Sequence, residues 1–265
     1  MSYPYSAGLT SIVGNTAKMS LANSLATLEQ FGSVETIIDV GCGDGVLAAN
    51  LTQSLTHVKR WILIDRDQML VTAARQRVTL SSKESIVIGL CGDIKNLPFA
   101  GRLPSRSALL VSHVLYYSIT QEPYLALENL LRIAKKSGSL LVLVIRTRDH
   151  ASYRLRYRYN IAKGAEAVSS MESDQIERWL QELNIDFVSY SIYSPLHTRI
   201  VIRDAKMAYN LIGRSGMLQD LISFFCHANT NSMSRNIKLE IAEELMEFVD
   251  HEELIVPIAE SVIVI

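Results

Sequence analysis

Cysteine is scarce in this chain of 265 residues: Cys42, Cys91 and Cys226 are the three. They are too few and too scattered for a disulfide framework or a zinc site, and no Cys/His cluster shows metal-ligand spacing, so no metal is expected. Cys42 and Cys91 fall in expected buried turns and strands, as small reduced core residues. An excess of charge is missing too. A formal charge of −1 gives no general grip on nucleic acid, although a local basic patch stays open. No stretch approaches the length of a membrane span. Met1 to Lys18 has no basic region followed by an apolar run, so no secretory signal is expected. Internal repeats, low-complexity tracts and a clear linker are also absent. A soluble protein of a reducing cytoplasm is the expectation. What the chain does have is apolar content: 48% hydrophobic against 20% charged residues suffices for a substantial core. The length fits one α/β domain carrying an insertion.

The most informative stretch is Ile37-Ile38-Asp39-Val40-Gly41-Cys42-Gly43-Asp44-Gly45. Thr36 to Val40 is β-branched and almost free of polar alternation, the pattern of a buried parallel strand. Val46, Leu47 and Leu51 recur at helical spacing, so a helix starts near Val46. Strand and helix meet through Gly-x-Gly-x-Gly, a tight turn where positive φ is available and no Cβ keeps a ligand away. The helix N-terminus adds free N–H groups and a positive dipole. A dinucleotide fingerprint wants its third glycine three places after the second, whereas Gly45 follows Gly43 by two. Asp39, two places before Gly41, would also repel a pyrophosphate.

Further along, Trp61 to Asp65 reads as a second strand ending in an acid. An acid there suits a bidentate hydrogen bond to ribose hydroxyls. Its alternative, capping the helix that begins near Gln68, is a role Asp67 fills equally well, so the ribose role is favoured for Asp65. Ser85 to Leu90 is a third strand, leading into Cys91-Gly92-Asp93-Ile94-Lys95-Asn96-Leu97-Pro98-Phe99. Ala108 to Val111 is a fourth, followed by Ser112-His113-Val114-Leu115-Tyr116-Tyr117. In an open parallel sheet the ligand crevice lies at the carboxyl ends of the strands, so His113 and the tyrosines should face the reacting part of a bound ligand. Thr120 caps a helix that Gly138 ends, and Ser139 to Ile145 is a fifth strand.

The flanks are less definite. Ser20 to Phe31 is an expected helix, and the segment with Tyr3 and Tyr5 is either a lid stacking on substrate or a frayed terminus. Arg146 to Lys163 interleaves Arg146, Arg148, Arg154, Arg156, Arg158 and Lys163 with Tyr153, Tyr157 and Tyr159. Such a segment can be a solvated or structural face, bind an acidic small molecule, or grip single-stranded nucleic acid. A capped helix from Ser173, antiparallel strands (or a strand and a long turn) over Asp186 to Tyr193 and Thr198 to Ile202, a helical segment from Ala205 to Val249 and a last strand from Ile255 to Ile265 complete the chain.

Asp39-x-Gly-x-Gly-x-Gly resembles motif I of the class I S-adenosylmethionine-dependent methyltransferases. Gly92-Asp93 with Leu97-Pro98-Phe99 looks like that family's adenine-binding turn. The resemblance implies a Rossmann-like seven-stranded α/β sheet, mostly parallel with an antiparallel last strand, and helices on both faces. It further implies S-adenosylmethionine as cofactor. Asp39, Gly41, Cys42 and Gly43 would hold its methionyl part, Asp65 with Arg66 the ribose, and Met69, Gly92, Asp93 and Ile94 the adenine. Ser112 and His113 would border it. One domain is expected over residues 1–265, with an N-terminal lid and helix (1–35), a cofactor-binding core (36–146) and substrate-side segments (147–265). The last include a helical insertion at about 205–250.

A weaker resemblance extends to the histamine N-methyltransferase-like branch. It rests on Leu115-Tyr116-Tyr117, Ser173-Asp174, Leu183-Asn184-Ile185, Phe224-Phe225-Cys226 and the Ser261-Val262-Ile263-Val264-Ile265 end. This branch has glutamine where His113 stands and asparagine where Ile258 stands, and its N-terminal glutamate has no counterpart here, so histamine itself is not the expected acceptor. A small metabolite is expected, methylated on nitrogen in preference to oxygen, with Tyr3, Tyr5, His113, Tyr116 and Tyr117 lining its site. His113 is either a general base or a hydrogen-bonded neighbour of the cofactor. No Asn-Pro-Pro-Tyr follows the fourth strand, which disfavours amide or base N-methylation. An RNA-binding methyltransferase using residues 146–163 and a non-catalytic cofactor-binding protein are the rival readings.

Overall fold

A computed structural model describes residues 9–82, 84–97, 103–115, 123–164, 172–212, 214, 216–226 and 228–265. The chain forms two compact units: one comprises residues 18–145, 170–192 and 261–265, the other residues 1–17, 146–169 and 193–260.

The first unit is built on a parallel sheet. Strands β1 (Thr36–Val40), β2 (Arg60–Asp65), β3 (Ile86–Cys91), β4 (Ser107–Ser112) and β5 (Leu140–Arg146) alternate with helices α2 (Val46–Ser54), α3 (Gln68–Ser81) and α4 (Pro123–Ser137). Helix α1 (Leu9–Ala26) precedes them, and α6 (Ser173–Glu182), β6 (Val188–Val201) and β8 (Glu253–Val264) follow later in the chain. The strand order is β3-β2-β1-β4-β5-β8-β6. β1 lies parallel to both β2 and β4, as β2 does to β3 and β4 to β5. Leu141 and Ile265 exchange both backbone hydrogen bonds, which marks β5 and β8 as antiparallel. Because β2 and β4 flank β1 on opposite sides, the winding reverses between β1 and β4. A ligand crevice in an open α/β sheet belongs at that reversal.

Every residue of β1 is buried, which is why it reads as an unbroken apolar run. Its alternation still assigns two faces. Ile37 joins Trp61, Leu63, Ala108 and Leu110 in a core covered by Leu21 and Leu25 of α1 and by Leu47, Leu51, Ala74 and Val78 of α2 and α3. Ile38 and Val40 join Ile62, Ile64, Leu109 and Val111 in a second core beneath Leu127 and Leu130 of α4 and Ile176 and Leu180 of α6. The sheet is thus clothed on both sides.

The second unit has its own core. Helices α5 (Ala151–Ala162), α7 (Ala205–Ile212), α8 (Gly216–Cys226) and α9 (Arg235–Met246), with the two-residue β7 (Val249–Asp250), supply its elements alongside parts of β6 and β8. Leu155, Ala208, Ile212, Leu221, Phe225, Ile241, Leu245 and Val256 pack together there.

Several expectations need correction. The first helix spans Leu9–Ala26 rather than starting at Ser20. It stops because Leu28 is extended, and Glu29–Ser33 is a separate 3-10 turn. Helix α6, by contrast, starts at Ser173 as expected and is capped by a box between Glu172 and Gln175. The two strands, or strand and long turn, expected over 186–202 are one strand, β6, in which Arg199 takes a positive φ of 58° instead of ending the strand. Cys91 is exposed, because β3 is the sheet's edge strand and Cys91 its last residue. Thr120, the expected cap of α4, lies outside the described residues.

Candidate cofactor site

The glycine turn sits at the reversal point because backbone contacts leave no room for side chains. Gly41 and Cys42 both donate backbone N–H bonds to Ile64 at the end of β2, at 2.7 and 2.9 Å. Gly41 has a φ of 77°, and a Cβ there would lie 2.5 Å from a methyl carbon of Val114, just beyond β4. Gly45, the left-handed N-cap of α2, would put a Cβ 2.6 Å from the backbone of Ala74 in α3. The turn is therefore gripped by the β4 loop at one end and by α3 at the other.

Asp65 joins turn and strand. One carboxylate oxygen accepts from the Gly43 N–H at 2.9 Å, and the other accepts from the Asp67 N–H at 3.0 Å. Asp67 in turn caps α3 by accepting from Met69 and Leu70 N–H groups, leaving Asp65 clear of that duty. The Gly92 N–H donates to the Asp65 carbonyl at 2.9 Å, so the start of the third turn closes on the same residue. Gly43, Asp65 and Gly92 are brought together, although they lie far apart in the chain.

Asp93 is exposed and folds its own turn, accepting from the Lys95 N–H at 2.8 Å. Ile94 packs against the Ile62–Ile64 core, half-buried. Arg66 is exposed, and Met69 is 81% exposed at the start of α3. Ser112 ends β4, and His113 follows with a left-handed φ of 56°, its N–H donating to Val144 at 3.1 Å. Such a conformation costs a non-glycine residue about 1–2 kcal/mol, and it turns the chain so that Val114 meets Gly41. Tyr3, Tyr5, Tyr116 and Tyr117 lie outside the described residues.

Electrostatics single out Asp39. Pairing places it opposite Leu63 and Leu110, on the aliphatic face of Ile37, and it is 2% exposed. Burial raises its pKa to about 7; Lys18 pulls it down and Asp65 pushes it up. The same burial, with the neighbouring carboxylates of Asp39 and Asp65, holds the Cys42 thiol far above its usual range, so it stays protonated. Asp44 accepts from Lys18 at 3.5 Å and from Arg77 at 3.3 Å. Lys18 and Arg77 were not expected from the sequence. Lys18 stands 26 positions before Asp44, and no local spacing reveals a partner that far away.

Three carboxylates around a backbone-lined turn suit a ligand bearing cationic groups and hydroxyls, not a phosphate. Among the described residues, no group of three His, Cys, Asp or Glu side chains is arranged to hold a metal ion.

The basic segment has a different character. Arg154 and Arg158 both pair with Glu244, whose side chain is buried, and Arg154 also lies over the Phe248 ring. Arg156 donates to the Phe225 carbonyl, and buried Arg146 to Ser152. Arg154, Arg156 and Arg158 tie α5 to α8 and α9 within the second unit.

Fold and site define an α/β protein with a glycine turn at the switch point and an acid closing the second strand. Residues 38–142 match the family described as a methyltransferase domain. A Bacillus halodurans protein assigned as a methyltransferase shares the fold, with a TM-score of 0.53 at 14% identity over 93% of this chain and 96% of its own. An O-methyltransferase family protein from Burkholderia thailandensis superposes with a TM-score of 0.50 at 14% identity, over 68% and 55% of the two chains. The plantazolicin methyltransferase, solved with a monoazolic desmethyl analogue and S-adenosylhomocysteine, gives 0.50 at 15% identity over 98% and 88%. No curated protein matches the sequence. Residues 38–142 are thus similar to a methyltransferase domain, and the match and fold together support an S-adenosylmethionine-dependent methyltransferase.

Proposed function

We propose that the protein transfers a methyl group from S-adenosylmethionine to a nitrogen or oxygen atom of a small metabolite, with nitrogen favoured. The observation that carries the cofactor half is the convergence of Gly43, Asp65 and Gly92, with Asp39 buried behind them. In this reading the outer lone pairs of Asp65 accept from the ribose hydroxyls, while its inner ones hold Gly43 and Asp67. The carboxyl of Asp39 faces the methionyl ammonium. Asp93 accepts from the adenine amine, and Ile94 packs on the ring, with Met69 at its border.

The cofactor supplies a methyl already activated by its sulfonium, so the chain's task is to align an acceptor lone pair with it. Proximity and orientation provide most of such an acceleration. His113 stands immediately after β4, at the reversal point, where a base would serve a hydroxyl acceptor and a hydrogen-bonding imidazole would orient an amine. Its strained backbone agrees with a functional position. Tyr3, Tyr5, Tyr116 and Tyr117 are proposed to line the acceptor. The preference for nitrogen rests on the sequence likeness to the histamine N-methyltransferase-like branch. The RNA-binding alternative loses support, because the arginines it needs are engaged by Glu244, Phe225 and Ser152.

The test is an untargeted screen of metabolite extracts incubated with S-adenosylmethionine, scored for a mass gain of one methylene. A methylated product absent from a heat-killed control is expected; none across diverse extracts counts against a metabolite acceptor. With an acceptor in hand, His113→Ala should lower turnover and flatten its rise with pH if the imidazole takes the proton. Unaltered turnover removes His113 from the mechanism.

A further inference from the structure

Three carboxylates surround the glycine turn, yet the methionyl part of S-adenosylmethionine brings a carboxylate of its own. Unless a cation meets it, that group enters a negative field from Asp39, Asp44 and Asp65. Two cations stand at the turn among the described ion pairs, Lys18 of α1 and Arg77 of α3, one on each oxygen of Asp44. They are not equivalent.

Lys18 precedes Leu21, Ala22 and Leu25 at helical spacing, and those three residues are the ones α1 buries against the Ile37 face of the sheet. Asp39 takes that same face. Lys18 therefore extends α1's inward stripe over the carboxyl end of β1, and it is the cation whose charge reaches buried Asp39. Arg77 approaches Asp44 from α3, behind the turn, where Ala74 touches Gly45. A half-exposed pair of 3.5 Å holds weakly, so Lys18 can change partner, and Asp44 keeps Arg77 when it does.

We propose that Lys18 is the binding residue for the α-carboxylate of S-adenosylmethionine, its ammonium turning from Asp44 to the cofactor, while Arg77 holds Asp44 and the turn in place. This rests on the cofactor assignment above. It gives the methionyl end two complementary contacts, Asp39 for the ammonium and Lys18 for the carboxylate. It also makes α1 a part of the cofactor site.

Isothermal calorimetry with S-adenosylmethionine and with decarboxylated S-adenosylmethionine, which keeps the amine and lacks the carboxylate, separates the possibilities. Wild type should prefer the intact cofactor. Lys18→Gln should weaken its binding roughly 10- to 100-fold, the range for a hydrogen bond between charged groups, and leave the decarboxylated form unchanged. Binding of the decarboxylated form also reports that the variant is folded. Lys18→Arg should restore most of the affinity, and Arg77→Gln should affect both ligands alike. Equal losses on both ligands in Lys18→Gln, or no loss on either, overturn the role of Lys18 while leaving the cofactor assignment standing. Failure of wild type to bind either ligand overturns the cofactor assignment, and the role of Lys18 with it.

Discussion

A carboxyl group in a row of aliphatic side chains is costly to ionise, and Asp39 stands in such a row, opposite Leu63 and Leu110. Its pKa of about 7, against an ordinary 3.8, has two consequences of opposite use. Between those values the folded chain binds a proton that the unfolded chain does not, so stability contributed at this site falls as pH rises from about 4 to about 7. A methionyl ammonium facing Asp39 favours the ionised form, so cofactor affinity should rise with pH through about 7 and binding should release a proton. Lys18 opposes the shift, and Asp65 enlarges it. Calorimetry in two buffers of different ionisation enthalpy measures the proton directly. Asp39→Asn should abolish both the proton release and the pH-dependent part of stability; proton release that survives the substitution would place the titrating group elsewhere.

The turn between β1 and α2 explains why residue types at single positions carry so much. Gly45 adopts a left-handed conformation with the backbone of Ala74 against it, whereas Gly43 is left-handed in open space. An alanine at Gly43 meets only the conformational penalty, about 1–2 kcal/mol. An alanine at Gly45 meets that penalty and a clash with main chain that no rotamer relieves. Urea denaturation should therefore rank Gly45→Ala well below Gly43→Ala in stability, and equal midpoints would contradict the packing described. These turns were legible because their signals are local: glycine spacing, an acid at a strand end, Asp67 ready as a cap. Cys91 was misplaced because exposure depends on which strand ends up at the edge. Lys18 and Arg77 were invisible, since only the packing of α1 and α3 brings them to Asp44. For the arginines of α5 the alternatives could not be separated until Glu244, from a helix some 90 positions away, was seen between two of them.

At the scale of the whole molecule, the order β3-β2-β1-β4-β5-β8-β6 is what converts scattered residues into a site. The parallel part follows from alternating apolar strands and amphipathic helices, each decipherable in a short window. The later part does not, because β6 and β8 contribute residues to both compact units and the helices of the second unit pack on one another across long sequence separations. That is also why the proposed cofactor residues rest on local motifs, while the proposed acceptor side rests on His113 and a family likeness. Among the described residues no helix is long and apolar enough to cross a membrane.

The central claim is that Asp65, held by Gly43 and Asp67, binds the ribose of S-adenosylmethionine. Titration calorimetry of S-adenosylmethionine into wild type and Asp65→Ala tests it most directly. Saturable binding to wild type is predicted, with a loss of at least about tenfold in the variant, since a charge-assisted contact is removed. No binding to wild type, or equal binding by a folded Asp65→Ala, would contradict the account.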